Sequence, residues 1–187
     1  MTTSAPPVDS VTSDTPLLNR VLTPYRDNCR YLKSAEISLA GQPMHGGTAT
    51  ARCEFGIDES CYIDDTGHFN AVELNICYNQ MFYYIIAKGV QDRLFAPFDG
   101  WTMQDYWDRQ LPDILIVKLS SNFRRPINAR KFSGEIRLDK VVERARSGGG
   151  GLVVADTSCR FWDDAGGDAR ADVKIAITNA PITVAAD

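Results

Sequence analysis

The stretch Glu59-Ser-Cys-Tyr-Ile-Asp-Asp-Thr-Gly-His-Phe-Asn-Ala-Val-Glu73 concentrates groups that polarise carbonyls and move protons. His68 and Asn70 stand where an apolar run begins. If that run is a helix, its free N-terminal N–H groups carry partial positive charge and can hold a developing oxyanion or enolate. Glu73 falls one turn from Asn70 on the same face. A carboxylate in so apolar a helix must be paired or used in chemistry, because isolated burial is costly. A plain structural role is also open: Asn70 as an N-cap and Glu73 as an acid complementing the helix dipole. Asn75, Asn79 and Gln80 lie deeper in the same run. Asn70 and Asn79 are nine residues apart, which puts them on opposite sides of a straight helix. Both reach one site only through a kink or a site shared between subunits, and a hydrogen-bonded core amide is the simpler role for Asn79.

Several other chemistries are excluded or unsupported. The histidines are His45 and His68 alone, and the five cysteines (Cys29, Cys53, Cys61, Cys77, Cys159) form no C-x-x-C pair, so no zinc spacing is credible and no metal is expected. Free, mostly buried thiols in a reducing cytoplasm are the simplest reading. There is no G-x-S-x-G elbow, Rossmann fingerprint or Walker sequence. Ser147-Gly-Gly-Gly-Gly151 lacks a following Lys-Ser/Thr and reads as a hairpin connection. The net charge of −4 argues against nucleic acid, and no stretch approaches the ~20 apolar residues of a membrane span. Residues 118–146 nevertheless carry nine Lys/Arg, including Lys118, Arg124 and Arg125, against three Asp/Glu. A basic patch on an acidic chain suits phosphate groups or an acidic protein partner, with solvated outer strand faces as the plainer alternative.

These residues need a scaffold. The length of 187 residues fits one domain. Residues 1–16 hold no apolar run or positive side chain and read as a flexible tail rather than a signal peptide, leaving 17–187 as the domain. Leu17–Arg30 reads as one or two helical turns ending before Pro24. Ala35, Ile37 and Leu39, then Ala49 to Ile57, alternate with polar residues around a Gly-Pro-Gly turn at 41–47, a hairpin with one face buried. Residues 69–89 hold no Pro, are apolar nearly all round and stop at Gly89, which predicts a long helix buried on most sides. A short helix is expected near Met103–Gln110, then strands over 113–123, 132–144, 152–162 and 169–179. One apolar helix beside a large antiparallel sheet packs best with the sheet curled around it, an α+β hotdog arrangement. Edge-to-edge pairing into a homo-oligomer would protect the exposed edges.

TGHFNAVELNICYNQMFYY, with ESCYI before it and SSNFRRPINARKFSG after it, resembles the FcoT-like thioesterase family of actinobacteria, from about Leu22 to the last strand. The resemblance implies a hotdog fold, fatty acyl thioester substrates, and acting residues at Tyr25, Tyr62, Asn70 and Asn79. It also implies, for members in isonitrile lipopeptide pathways, conjugate addition of glycine to C3 of a (2E)-enoyl-acyl-carrier-protein, then hydrolysis to a free 3-(carboxymethylamino) acid. Gly67-His68-Phe69 is similar to the GHF sequence of hotdog 3-hydroxyacyl dehydratases, whose His works with a helix carboxylate. Here the register places Ile76 where that acid belongs, unless Glu73 replaces it.

The resulting expectation has His68 as base toward the glycine ammonium and Asn70 with the helix N–H groups holding the enolate oxygen. Tyr62 acts as proton donor, Glu73 orients His68, and Phe69, Lys118, Arg124 and Arg125 bind substrate, the arginines through phosphopantetheine phosphate or an acidic acyl carrier protein. No cofactor is expected beyond the phosphopantetheine or coenzyme A carrying the acyl group. The expected partners are glycine, the thioester and a second copy of the chain, in a dimer or a trimer of dimers. The rival readings are a long-chain acyl-CoA thioesterase and a non-catalytic acyl-binding protein.

Overall fold

A computed structural model describes residues 9–11, 13–40, 48–145 and 150–181. The 41–47 turn with His45, and most of the 147–151 glycine run, lie outside them. Seven strands form one antiparallel sheet in the order β1-β2-β3-β5-β6-β7-β4. They are β1 (Asp9–Val11), β2 (Leu32–Ala40), β3 (Thr48–Phe55), β4 (Ile114–Arg125), β5 (Phe132–Ala145), β6 (Gly151–Trp162) and β7 (Asp168–Ala180). Three helices accompany them: α1 (Thr15–Leu22), α2 (Ala71–Gln91) and α3 (Met103–Arg109). The long helix, the short one and the six expected strands stand within a few residues of the sequence reading. Ala145 at the end of β5 pairs with Gly151 at the start of β6.

The sheet receives α2 on its inner face. Along β6 and β7 alternate residues, Val153, Ala155, Thr157, Cys159, Phe161 and Ala169, Ala171, Val173, Ile175, Ile177, are buried, the period-two pattern of a half-buried antiparallel sheet. The Tyr78 hydroxyl on α2 lies 2.7 Å from Thr157 Oγ1 on β6. Gln80 ties the other side: its Oε1 accepts the N–H groups of Tyr31 and Leu32 at 3.1 and 2.9 Å, and its Nε2 donates to the Cys29 carbonyl at 2.6 Å. This fully buried amide satisfies three backbone groups at the entry to β2. One long helix held across a curved antiparallel sheet is the α+β hotdog arrangement.

Burial of α2 is incomplete along one stripe. Val72 and Asn75 are exposed and Asn79 is half-buried. With Ile116 and Leu119 of the edge strand β4, Val72 and Asn75 line an apolar cleft of about 350 Å³.

The reading of residues 1–16 as a flexible tail is corrected. Asp9–Val11 pair with Ile37–Leu39 of β2. Asp14 caps α1 by accepting the Leu17 N–H at 3.0 Å, with Pro16 in the first turn. Asp14 also faces Lys88 and Gln91 near the end of α2. Asp9–Val11 and residues 13–16 are therefore built into the fold, and the Asp-Thr-Pro signature is a usable helix start.

Candidate active site at the N-terminus of the central helix

Phe69 seats the site. Its ring is 1% exposed and packs against Phe132 and Phe161 at 4.7 and 5.1 Å between centroids, and its N–H donates to the Ile127 carbonyl at 3.0 Å. Gly134 makes room for this aromatic cluster, because a Cβ there would stand 2.8 Å from Phe55 and 2.9 Å from Phe161. The residues on either side of Phe69, His68 and Asn70, are thereby held at the mouth of a cleft of about 400 Å³, also lined by Ala71, Phe123, Arg124, Arg125 and Pro126.

The helix N-terminus is closed by a capping box. Asn70 Oδ1 accepts the N–H groups of Val72 and Glu73 at 3.0 and 3.2 Å, and Glu73 Oε2 accepts the Asn70 N–H at 3.1 Å. The Tyr62 hydroxyl donates to the same Asn70 oxygen at 2.8 Å. Three donors on Oδ1 fix the amide orientation and leave its Nδ2 without a protein partner among the described residues. In the first turn the Ala71 N–H is likewise unbonded there. Two donors on residues that line the cleft, one side-chain and one backbone, are thus without protein partners among the described residues, rather than a full set of helix N–H groups.

His68 is exposed, and its Nδ1 lies 2.9 Å from the Thr66 carbonyl. A carbonyl only accepts, so Nδ1 is the protonated nitrogen, and in the neutral imidazole the lone pair falls on Nε2. The expectation that Glu73 orients His68 is corrected: Glu73 is buried and bonded back to Asn70, while Thr66 sets the imidazole. Neither Thr66 nor the latch holding its loop was singled out from the sequence. Asp65 accepts the Gly67 N–H at 2.8 Å and pairs with Arg130 at 2.5 Å, and first the Gly67 bond, then Arg130, hold its carboxyl below the usual range. Asp65-Thr66-Gly67 is turn chemistry that carried this signal.

Tyr25 and Asn79 stand elsewhere. Tyr25 packs beside Tyr83 at 6.5 Å between centroids, and burial, then Tyr83, Cys77 and Cys29, push its hydroxyl well above the usual tyrosine value. Asn79 is one turn before Tyr83 on the open stripe of α2 and does not line the His68–Asn70 cleft. Within one chain the expected residues therefore do not form one group: Tyr62, His68, Asn70 and Glu73 stand at the start of α2, Asn79 on its open stripe, and Tyr25 beside Tyr83.

The basic window is dispersed too. Lys118 faces a separate cleft on the outer side of the sheet with Asp139, Asp156, Asp172 and Lys174, away from Asn70. Arg137 pairs with Asp139, and Arg124 with Asp168. Only Arg124 and Arg125 reach the candidate cleft. Among the described residues no three His, Cys, Asp or Glu side chains converge as a metal site, and no helix is long and apolar enough to cross a membrane. The five cysteines are free thiols, with Cys53, Cys77 and Cys159 buried.

A (2E)-enoyl-[ACP] glycyltransferase of Streptomyces coeruleorubidus is 52% identical over 169 residues, covering 90% of this chain and 99% of that protein. A protein of the same name from Mycobacterium tuberculosis is 39% identical over 168 residues, 88% of this chain and 87% of its own. A solved thioesterase family protein from Silicibacter pomeroyi superposes with a TM-score of 0.42 at 13% identity, over 88% of this chain and 98% of its own. The FcoT-like thioesterase domain model matches residues 20–177, and on that span the chain belongs to the FcoT-like thioesterase family.

Proposed function

We propose that this protein adds glycine to C3 of a (2E)-enoyl thioester carried on an acyl carrier protein and then hydrolyses the thioester to a 3-(carboxymethylamino) acid. The observation that carries the reading is one cleft lined by an imidazole held through Nδ1, so that Nε2 is left to act, and by Asn70 and Ala71, each with an N–H that has no protein partner among the described residues. The relatives named above as glycyltransferases support it. His68 Nε2 takes a proton from the glycine ammonium, and the freed amine attacks C3. The electron pair moves through C2 to the thioester oxygen, where Asn70 Nδ2 and the Ala71 N–H receive the negative charge. The proton returns from His68 to C2; water then adds to the thioester carbonyl carbon and the C–S bond breaks, the carrier's thiol leaving with a proton. In this reading Tyr62 positions Asn70 rather than donating to substrate. The chain's own groups and the carrier's phosphopantetheine suffice, and Arg124 at the mouth, beside Arg160 and Arg170, faces the acidic carrier. A cytoplasmic setting goes with such a carrier.

The experiment is mass spectrometry of a crotonyl carrier protein incubated with isotopically labelled glycine. A labelled adduct and its released acid are expected. Release of saturated acids with no labelled adduct would hand the site to plain acyl thioester hydrolysis, which uses the same donors to activate the carbonyl toward water and which the family's description favours.

We further propose that two copies pair through β4. That strand is an unpaired edge, and Leu115, Val117, Leu119 and Phe123 along it are exposed, Val117 by 55%. An edge this apolar needs a cover. Pairing would also close the stripe bearing Asn79 and let it meet the His68–Asn70 group across subunits. Light scattering is expected to give at least twice the chain mass, and Leu119→Asp a monomer. A monomeric parent protein would remove the proposal.

A further inference from the structure

Four arginines gather where β4, β6 and β7 end near the cleft, and three of them share one carboxylate. Asp168 takes Arg160 at 2.6 Å, Arg170 at 3.6 Å and Arg124 at 3.9 Å, and the Arg160 bond, with the other two charges, holds its carboxyl below the usual range. Arg125 is the exception. It stands opposite Asp168 in the strand register, yet among the described residues no carboxylate lies within ion-pair distance of it. The irregularity in β4 between Phe123 and Arg125 explains this: it puts two residues against one on β7 and turns consecutive side chains out of simple alternation. Both arginines line the cleft with His68, Asn70 and Ala71, but Arg125 has no ion-paired carboxylate among the described residues, and its Nη1 stands beside the Gly166 turn, 3.6 Å from where a Cβ there would lie. The other walls are apolar, Phe69, Phe123 and Pro126. A planar, permanently charged fork beside apolar walls is suited to a planar anion such as a carboxylate.

The chemistry of the two substrates says which anion. The acyl thioester carries its phosphate at the far end of the pantetheine arm, remote from C2 and C3. The nucleophile is a zwitterion whose carboxylate is one carbon from the reacting nitrogen. A cation in the same cleft as the base is therefore placed for the carboxylate nearest the new C–N bond. We infer that Arg125 binds the carboxylate of the amino-acid substrate, orienting its amine between His68 Nε2 and C3, and so selects α-amino acids over uncharged amines. This rests on the glycine-adding reading above.

The test compares glycine with glycinamide, which keeps the amine and lacks the charge, using the crotonyl carrier protein as acceptor. For each amine kcat/KM of adduct formation is measured in the parent protein and in Arg125→Gln. The expected result is a parent preference for glycine that falls on the order of tenfold to a hundredfold in the variant, the effect of losing one charged hydrogen-bonding partner. Arg125→Lys is expected to retain part of it. An equal loss for both amines, or an unchanged preference, would overturn the inference, the first assigning Arg125 to the carrier's phosphate. An adduct from neither amine in the parent protein would overturn the glycine-adding reading and this inference with it.

Discussion

His68→Ala is expected to abolish the labelled glycine adduct on a crotonyl carrier protein while hydrolysis of a saturated acyl thioester survives in part. Glycine at neutral pH is mostly ammonium and carries no lone pair to attack C3, so conjugate addition requires a base. The Thr66 carbonyl fixes the proton on His68 Nδ1 and leaves Nε2 as that base. Hydrolysis starts from neutral water and a polarised carbonyl, and the donors for that polarisation come from Asn70 and Ala71. Loss of general-base catalysis typically costs 10²- to 10⁴-fold. The measurement is the initial rate of adduct formation by mass spectrometry, repeated at rising pH. As pH approaches the amine's own pKa, glycine supplies free amine without help, and the variant's rate should climb toward the parent's. A variant that keeps the parent rate at neutral pH would remove His68 from the mechanism.

Asn70 is expected to matter for both reactions, because both build negative charge on the thioester oxygen. Asn70→Ala removes the Nδ2 donor and should slow addition and hydrolysis alike by about 10²- to 10³-fold, the usual consequence of losing one preorganised donor. It also removes the N-cap, costing about 1 kcal/mol of stability. Asn70→Asp separates the two effects. Aspartate caps a helix as well as asparagine does, so the bonds from the Val72 and Glu73 amides are kept and thermal unfolding should shift little. It has no N–H to offer the substrate, however, and turnover should fall as far as in the alanine variant. Both rates and the unfolding midpoint are measured for the two proteins. An active Asn70→Asp enzyme would show that the cap, not the amide donor, is what the residue contributes.

The extent of what was legible follows from how far each interaction reaches along the chain. The long helix, the alternating strands and the caps at its entry are local patterns. A Pro-free apolar run of some twenty residues has few other solutions, and Asn70 with Glu73 three residues on is a capping-box spacing that the structure realises. The hotdog arrangement followed because one apolar helix and one large sheet can bury each other in few ways. Gln80 shows where this stops: its amide serves the backbone of residues some fifty positions away, which no periodicity encodes.

The same holds within the site. Sequence alone pointed to His68, Asn70 and Tyr62 as candidates close to one helix start. Only the tertiary structure decided what each one touches. Thr66, not Glu73, orients the imidazole, because the 65–68 turn is latched to Arg130 far along the chain. The fold also separates Tyr25 and Asn79 from Asn70, divides the basic window between separate clefts, and leaves Arg125, beside an irregularity in β4, without an ion-paired carboxylate among the described residues. Spacing along a chain specifies which face of its own element a residue occupies. What that face meets is set by strands that pair across the whole fold, and a single irregularity in one of them re-aims the charges that follow.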